Sequence, residues 1–66
     1  MQITLNGENR EIREGTTVAR LLADLQIPDK LVLVEKNGQP VARDRYDAEP
    51  VGPGDEIELV RLMGGG

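Results

Sequence analysis

The last three residues, Gly64, Gly65 and Gly66, carry the clearest chemical signal in this chain, because the side chains usually used in catalysis are missing. The sequence contains no histidine, cysteine or serine, so the common nucleophiles and the best group for proton transfer near neutral pH are absent. With glycine at about 7% of residues, three consecutive terminal glycines occur by chance in roughly one chain in a few thousand. A terminal carboxylate becomes reactive once an adenylyl group from ATP converts it into a mixed anhydride, which sulfur or an amine can attack. The sequence therefore predicts chemistry at the Gly66 carboxyl and argues against a self-contained enzyme.

Glycine suits a segment that must enter another protein. Without a Cβ atom, residues 64–66 can thread a narrow cleft and let a partner's backbone approach closely. Fully extended, Met63 to Gly66 would carry the carboxylate at most about 14 Å beyond the sheet, at roughly 3.5 Å per residue. We therefore expect 63–66 to be a flexible tail that reaches a partner's active site. The alternative is a frayed end or a cloning remnant without function.

The carboxylates in the middle of the chain are a weaker candidate site. Asp44, Asp47 and Glu49 lie in a polar segment, and no EF-hand or other ligand spacing surrounds them. Gly52 and Gly54 lack the lysine and the helix of a phosphate-binding loop. We expect turns here, with no metal site and no bound cofactor.

Composition limits the architecture and the partners. A chain of 66 residues supports one hydrophobic core, so we expect one domain over 1–62 followed by the tail 63–66. Twelve acidic against eight basic residues give a net charge of -4, which disfavours nucleic acid and anionic membranes and favours a basic partner surface. Solubility alone explains the charge equally well. No segment approaches the roughly 18 apolar residues of a membrane span, and the lack of cysteine fits a reducing compartment. We expect a cytoplasmic protein that is monomeric when free.

The first half of the chain predicts a hairpin and a helix. Met1, Ile3 and Leu5 alternate with polar residues, and the pair Asn6-Gly7 predicts a tight turn into a second strand that carries Ile12. Thr17 is placed to cap a helix, which Pro28 should end by Ile27. The spacing typical of one apolar helix face is shown by Val18, Leu21, Leu22 and Leu25.

The second half predicts strands joined by a turn-rich crossing. The unbroken apolar run in "LVLVEKNG" predicts a strand covered on both faces, followed by a turn at Asn37-Gly38. Between Gln39 and Asp55, proline and glycine predict a short strand at Val41 and an irregular crossing that contains Tyr46. Alternation then resumes in "EIELVRL", with Ile57 and Leu59 on one face and Glu58, Val60 and Leu62 on the other.

One helix can cover only one face of the predicted mixed sheet. The opposite face would then expose Leu33, Val60 and Leu62. These side chains are either a docking patch or the scattered apolar residues that occur on any protein surface.

In their order along the chain, these features resemble the ThiS family, bacterial sulfur carriers of thiamine thiazole biosynthesis with a ubiquitin-like β-grasp fold. The resemblance covers essentially the whole chain. It is carried by "ITLNGENREI", "GTTVARLLADL", "LVLVEKNGQPVARDRY", "GDEIELV" and the terminal Gly65-Gly66. It implies an α+β fold in which one main helix packs on one face of a mixed sheet of about five strands. It also implies that the final strand is central, parallel to the first and beside the third, which places Val60 near Leu33.

The resemblance further implies a carrier that partner enzymes modify, rather than an enzyme. An E1-like adenylating enzyme similar to ThiF would activate Gly66 with MgATP, and sulfur originating from a cysteine desulfurase would convert it to a thiocarboxylate. A thiazole synthase similar to ThiG would receive the sulfur. The carrier itself would bind no cofactor. The expected docking patch is Leu33, Val60, Leu62 and Met63.

Two alternatives remain open at this stage. One is a sibling carrier with the same chemistry, such as the small subunit of molybdopterin synthase or a carrier for tRNA thiolation or protein modification. The other is a β-grasp interaction module whose tail has no chemistry, and which would keep its function if Gly66 were deleted.

Overall fold

The computed structural model describes residues 1–62. Met63 and the glycines 64–66, on which the tail prediction depends, lie outside the described residues. The described chain forms one helix and five strands. They are β1 (Gln2–Leu5), β2 (Glu8–Glu11), α1 (Val18–Asp24), β3 (Val32–Lys36), β4 (Gln39–Pro40) and β5 (Glu56–Arg61). Two single 3₁₀ turns, Asp29–Leu31 and Arg43–Arg45, flank β3 and β4.

The strands form one mixed sheet in the order β2-β1-β5-β3-β4. The hairpins β1-β2 and β3-β4 are antiparallel, whereas β5 lies between them, parallel to β1 and antiparallel to β3. The predicted α+β fold and the central position of the last strand are confirmed. The first half of β5 is paired on both sides, at Glu56 and Ile57, whereas Val60 and Arg61 pair with β3 alone.

Both hairpins turn at an Asn-Gly pair with positive φ at each residue, as a type I′ turn requires. The φ angles are 49° at Asn6 and 82° at Gly7, and 53° at Asn37 and 81° at Gly38. Asn6 also helps the central pairing, since its side-chain Oδ1 accepts the N–H of Leu59 at 2.8 Å. The side chain thus continues the β1-β5 ladder past the residue at which β1 ends.

The helix packs on one face of the sheet and closes a single core. Thr17 caps α1 as predicted, because its hydroxyl oxygen accepts the N–H of Arg20 at 3.2 Å. The helix ends at Asp24, before Ile27, since Gln26 takes a positive φ of 59°. The buried apolar residues come from α1, the helix-facing sides of β1, β3 and β5, and the crossing segment. They are Ile3, Leu5, Val18, Leu21, Leu22, Val32, Val34, Tyr46, Val51 and Ile57.

Two sequence predictions, one for β3 and one for β4, are wrong in detail. The strand β3 is covered on one face only, because Val32 and Val34 are buried under the helix while Leu33 is 48% exposed on the other side. An apolar run indicates a strand but does not say how many layers pack on it. The short strand predicted at Val41 is formed instead by Gln39–Pro40, although the Val41 N–H still donates to the Val34 carbonyl at 2.9 Å.

The crossing segment before β5 is fixed by a polar cluster. Burial alone would raise the pKa of Asp55, but hydrogen bonds from the Gly52 N–H at 2.7 Å and the Asn37 amide at 3.0 Å, with the charge of Lys36, hold that pKa below its ordinary value of 3.8. Lys36 also pairs with Glu49 at 2.8 Å. These contacts tie the later part of the crossing, from Glu49 to Asp55, to the end of β3.

Within residues 1–62, the only α-helix has seven residues, and no helix there has the length and hydropathy to cross a bilayer.

Candidate docking surface

Four large apolar side chains are exposed in the described part of the chain, and all of them lie in the β3-β5 ladder or just beyond its end. Their exposed fractions are 41% for Leu31, 48% for Leu33, 44% for Val60 and 38% for Leu62. We call these four residues the apolar patch. The patch lies on the sheet face opposite α1, where no other described element covers it.

The four residues of the apolar patch are contiguous. Leu33 and Val60 are direct partners across the antiparallel β3-β5 pair, and the Leu62 N–H donates to the Leu31 carbonyl at 2.8 Å. Side chains directly opposite each other on one face have Cβ atoms only about 5 Å apart. The sequence alone left open whether these residues are scattered, and the register shows that they form one surface.

Alternation along β5 explains why this surface is exposed. Ile57 is buried and Leu59 is partly buried against the core, whereas Glu58, Val60 and Leu62 point to the other face, as predicted. The patch therefore lies where β5 ends and the chain continues to residue 63. Met63, the fourth residue of the predicted docking patch, lies outside the described residues, as do Gly64, Gly65 and Gly66.

Leu31 is the residue that the sequence prediction omitted from the patch. It belongs to the 3₁₀ turn before β3 rather than to the strand, but its carbonyl continues the β3-β5 ladder. The alternation of Leu31 with Val32 and Leu33 was a usable signal, because it placed Leu31 and Leu33 on the same side.

The acidic residues of the crossing segment do not converge. Asp44 and Asp47 are exposed, and Glu49 is paired with Lys36. Among residues 1–62, no group of three or more His, Cys, Asp or Glu side chains is arranged to hold a metal ion. Gly54, with φ of 80°, occupies a turn.

A five-stranded mixed sheet with one helix on one face, and with its last strand inserted between the first and third, defines the class of ubiquitin-like β-grasp proteins. Comparison with solved structures agrees. A crystal structure of the thiamine biosynthesis protein ThiS from Geobacter metallireducens superimposes with a TM-score of 0.86 at 36% identity, over all of both chains.

Sequence comparisons define the family. The sequence model of the ThiS family matches residues 3–66. The sulfur carrier protein ThiS of Bacillus subtilis is 35% identical over 65 residues, which are 97% of this chain and 98% of that protein. A thiazole synthase of Paramagnetospirillum magneticum is 36% identical over 66 residues, so this chain spans only 20% of that relative's length. The chain belongs to the ThiS family, which confirms the resemblance noted from its motifs.

Proposed function

We propose that this protein is a sulfur carrier for thiamine thiazole biosynthesis and that the sulfur travels as a thiocarboxylate on Gly66. The observation that carries the proposal is membership of the ThiS family over residues 3–66, a match that includes the three glycines. The chain acts as a co-substrate of partner enzymes, since it has no histidine, cysteine or serine of its own for catalysis.

The charging reaction has two steps. A carboxylate oxygen of Gly66 attacks the α-phosphorus of ATP on an E1-like adenylating enzyme, and pyrophosphate leaves. A thiol reductant releases sulfide from the persulfide that a cysteine desulfurase forms, and this sulfide attacks the carbonyl carbon of the acyl adenylate, so that AMP leaves and the thiocarboxylate remains. The adenylating enzyme holds the MgATP, so the carrier contributes the acceptor atom and the contacts that keep it in place.

The fold is consistent with a carrier that presents the acceptor carboxyl while the partner enzyme holds MgATP. The scaffold is held by a buried core and by pairing on both sides of β5, and the apolar patch lies at the end of β5. A partner that covers the apolar patch lies next to the end of β5, the point from which the chain continues toward Gly66. Small interfaces of this kind suit a carrier that must dissociate after each transfer.

Thiazole synthase is the proposed acceptor of the sulfur. A segment of the Paramagnetospirillum magneticum thiazole synthase matches this whole chain. A carrier-like domain and an enzyme of that name therefore occur in one polypeptide, which supports a working relation between the two. The adenylating enzyme and the cysteine desulfurase are inferred from the chemistry that charging requires.

The proposal is tested by incubating the protein with MgATP, a sulfur donor and an adenylating enzyme proven active on its own ThiS. The intact mass should rise by about 16 Da, the difference between one sulfur and one oxygen atom. A variant that lacks Gly66 should keep its mass, while Glu14→Gln, an exposed change remote from the apolar patch, should be charged normally. Absence of any mass gain in the unaltered protein would count against the carrier function.

A further inference from the structure

The sheet face that carries the apolar patch has an acidic second half. Glu35 and Glu58 are direct partners across β3-β5, two positions along the ladder from Leu33 and Val60 and on the same face. Glu56 lies two residues before Glu58, so it also points to this face. We call Glu35, Glu56 and Glu58 the acidic half.

The acidic half is not neutralised within the described chain. The ion pairs among residues 1–62 link the N-terminal amine with Glu11, Arg20 with Asp24, and Lys36 with Glu49 and Asp55. None of them involves the acidic half. Like charges placed directly opposite each other on a sheet destabilise the pairing, so the free protein keeps an unfavourable arrangement at Glu35 and Glu58.

The three glutamates also line one depression. It is an open hollow between the two hairpin turns, and its remaining lining includes Thr4, Gly7 and Gly38. A Cβ atom added at either glycine would meet nothing within 4 Å, so there is open space beside these two residues. A long cationic side chain from another protein can enter this hollow while its neighbours cover the apolar patch.

We propose that the acidic half binds arginine or lysine side chains of the adenylating enzyme, next to the apolar contact made by the patch. This inference rests on the proposed function. The adenylating enzyme is the partner whose charge is opposite to that of the acidic half, because an enzyme that holds the polyphosphate of ATP carries cationic groups around its active site. The acidic half lies on the face that must approach that site when Gly66 is delivered.

The proposal predicts effects of opposite sign on folding and on docking. Replacing Glu35 and Glu58 with glutamine removes the repulsion across β3-β5, so the free protein should melt at the same or a higher temperature. The same change removes two attractive charges from the interface, so association with the adenylating enzyme should slow. A purely structural role for the two residues would not produce this combination.

The experiment compares Glu35→Gln/Glu58→Gln with Glu8→Gln/Glu14→Gln, a matched pair that removes the same two charges elsewhere. Glu8 is paired with the helix-facing Leu5 and Glu14 is exposed in the loop before α1. Stopped-flow association with the adenylating enzyme is measured at low salt and at about 0.5 M salt, where charges more than a few Å apart are screened. At low salt the first pair should associate about tenfold more slowly than wild type and the control pair less than about twofold; at high salt the difference should largely vanish.

Equal rates and equal salt dependence for both pairs, with a wild-type protein that still gains its thiocarboxylate, would overturn this inference and leave the proposed function standing. A rate loss seen with thiazole synthase but not with the adenylating enzyme would overturn the assignment of the partner. A wild-type protein that neither binds the adenylating enzyme nor gains mass would overturn the proposed function itself.

Discussion

Substituting aspartate for Val60 should separate docking from folding. Val60 is 44% exposed and lies opposite Leu33 near the end of β5, so the free domain gains only part of the stabilisation that full burial of this side chain would give. The new carboxylate would lie two residues from Glu58 on the same face and in a strand that disfavours aspartate. Together with the loss of the covered part of the valine side chain, these effects should lower the free energy of unfolding by about 1–2 kcal/mol.

Docking should suffer more than folding. Full burial of a valine side chain contributes about 1.5–3 kcal/mol, and the fraction of Val60 still exposed leaves about 1 kcal/mol for a partner to gain. An unpaired polar group pressed against an apolar surface costs about 1–3 kcal/mol more. The sum is about 2–4 kcal/mol, which corresponds to a Kd increase of about 30-fold to 1,000-fold.

The assay is a calorimetric titration of Val60→Asp into the adenylating enzyme, beside a thermal melt of the free variant. The control is Ala23→Asp, which adds the same charge at an exposed residue of α1, on the other side of the sheet from the apolar patch. It should bind within about twofold of wild type. If Val60→Asp also binds with wild-type affinity, the apolar patch is not the docking surface. If the variant is unfolded, Val60 contributes to the fold far more than its exposure indicates.

Three further predictions concern the scaffold. Leu22→Ala should lower the free energy of unfolding in urea by about 2–5 kcal/mol, because this side chain is only 2% exposed at the contact of helix and sheet; a loss below about 1 kcal/mol would contradict this packing. Asn6→Gly keeps the turn but removes the acceptor for the Leu59 N–H, so it should lose about 1 kcal/mol in the same assay. Asn6→Asp, which retains an oxygen there, should lose less, and equal losses would refute the role of that bond. Since the pKa of Asp55 is lowered by folding, the stability added by its carboxylate is fully present above pH 3.8 and is lost as the pH falls below that value. The stability gap between wild type and Asp55→Asn should therefore narrow on acidification, and a gap unchanged down to pH of about 2 would contradict the predicted linkage.

Local patterns predicted most of the elements because each depends on neighbours in sequence. The alternation at Ile3 and Leu5 specified β1, the Thr17 cap and the helical spacing specified α1, and the Asn-Gly pairs specified both hairpins. The strand order did not follow from these patterns. It came from the family resemblance, because pairing between β1 and β5 joins residues about fifty positions apart, and such contacts leave no periodic signal.

The wrong or incomplete predictions also concern features that depend on contacts between residues distant in sequence. That β3 is covered on one face only depends on the number of layers, which the apolar run around Leu33 does not encode. No sequence pattern links Lys36 with Asp55, because their cluster forms only when the crossing folds back onto the end of β3. The candidate surface was predicted in outline through Leu33, Val60 and Leu62. Leu31 was omitted although its alternation with Val32 placed it on the side of Leu33; the bond from the Leu62 N–H to its carbonyl, which brings it into the patch, is visible only in the folded chain.

The central claim is that sulfur is carried on the carboxyl of Gly66, and fragmentation of the charged protein in a mass spectrometer tests it most directly. The gain of about 16 Da should be confined to the C-terminal fragments that contain Gly66, and it should disappear when thiazole synthase turns over with its other substrates. A gain on any other residue, or one that persists through that turnover, would contradict the claim.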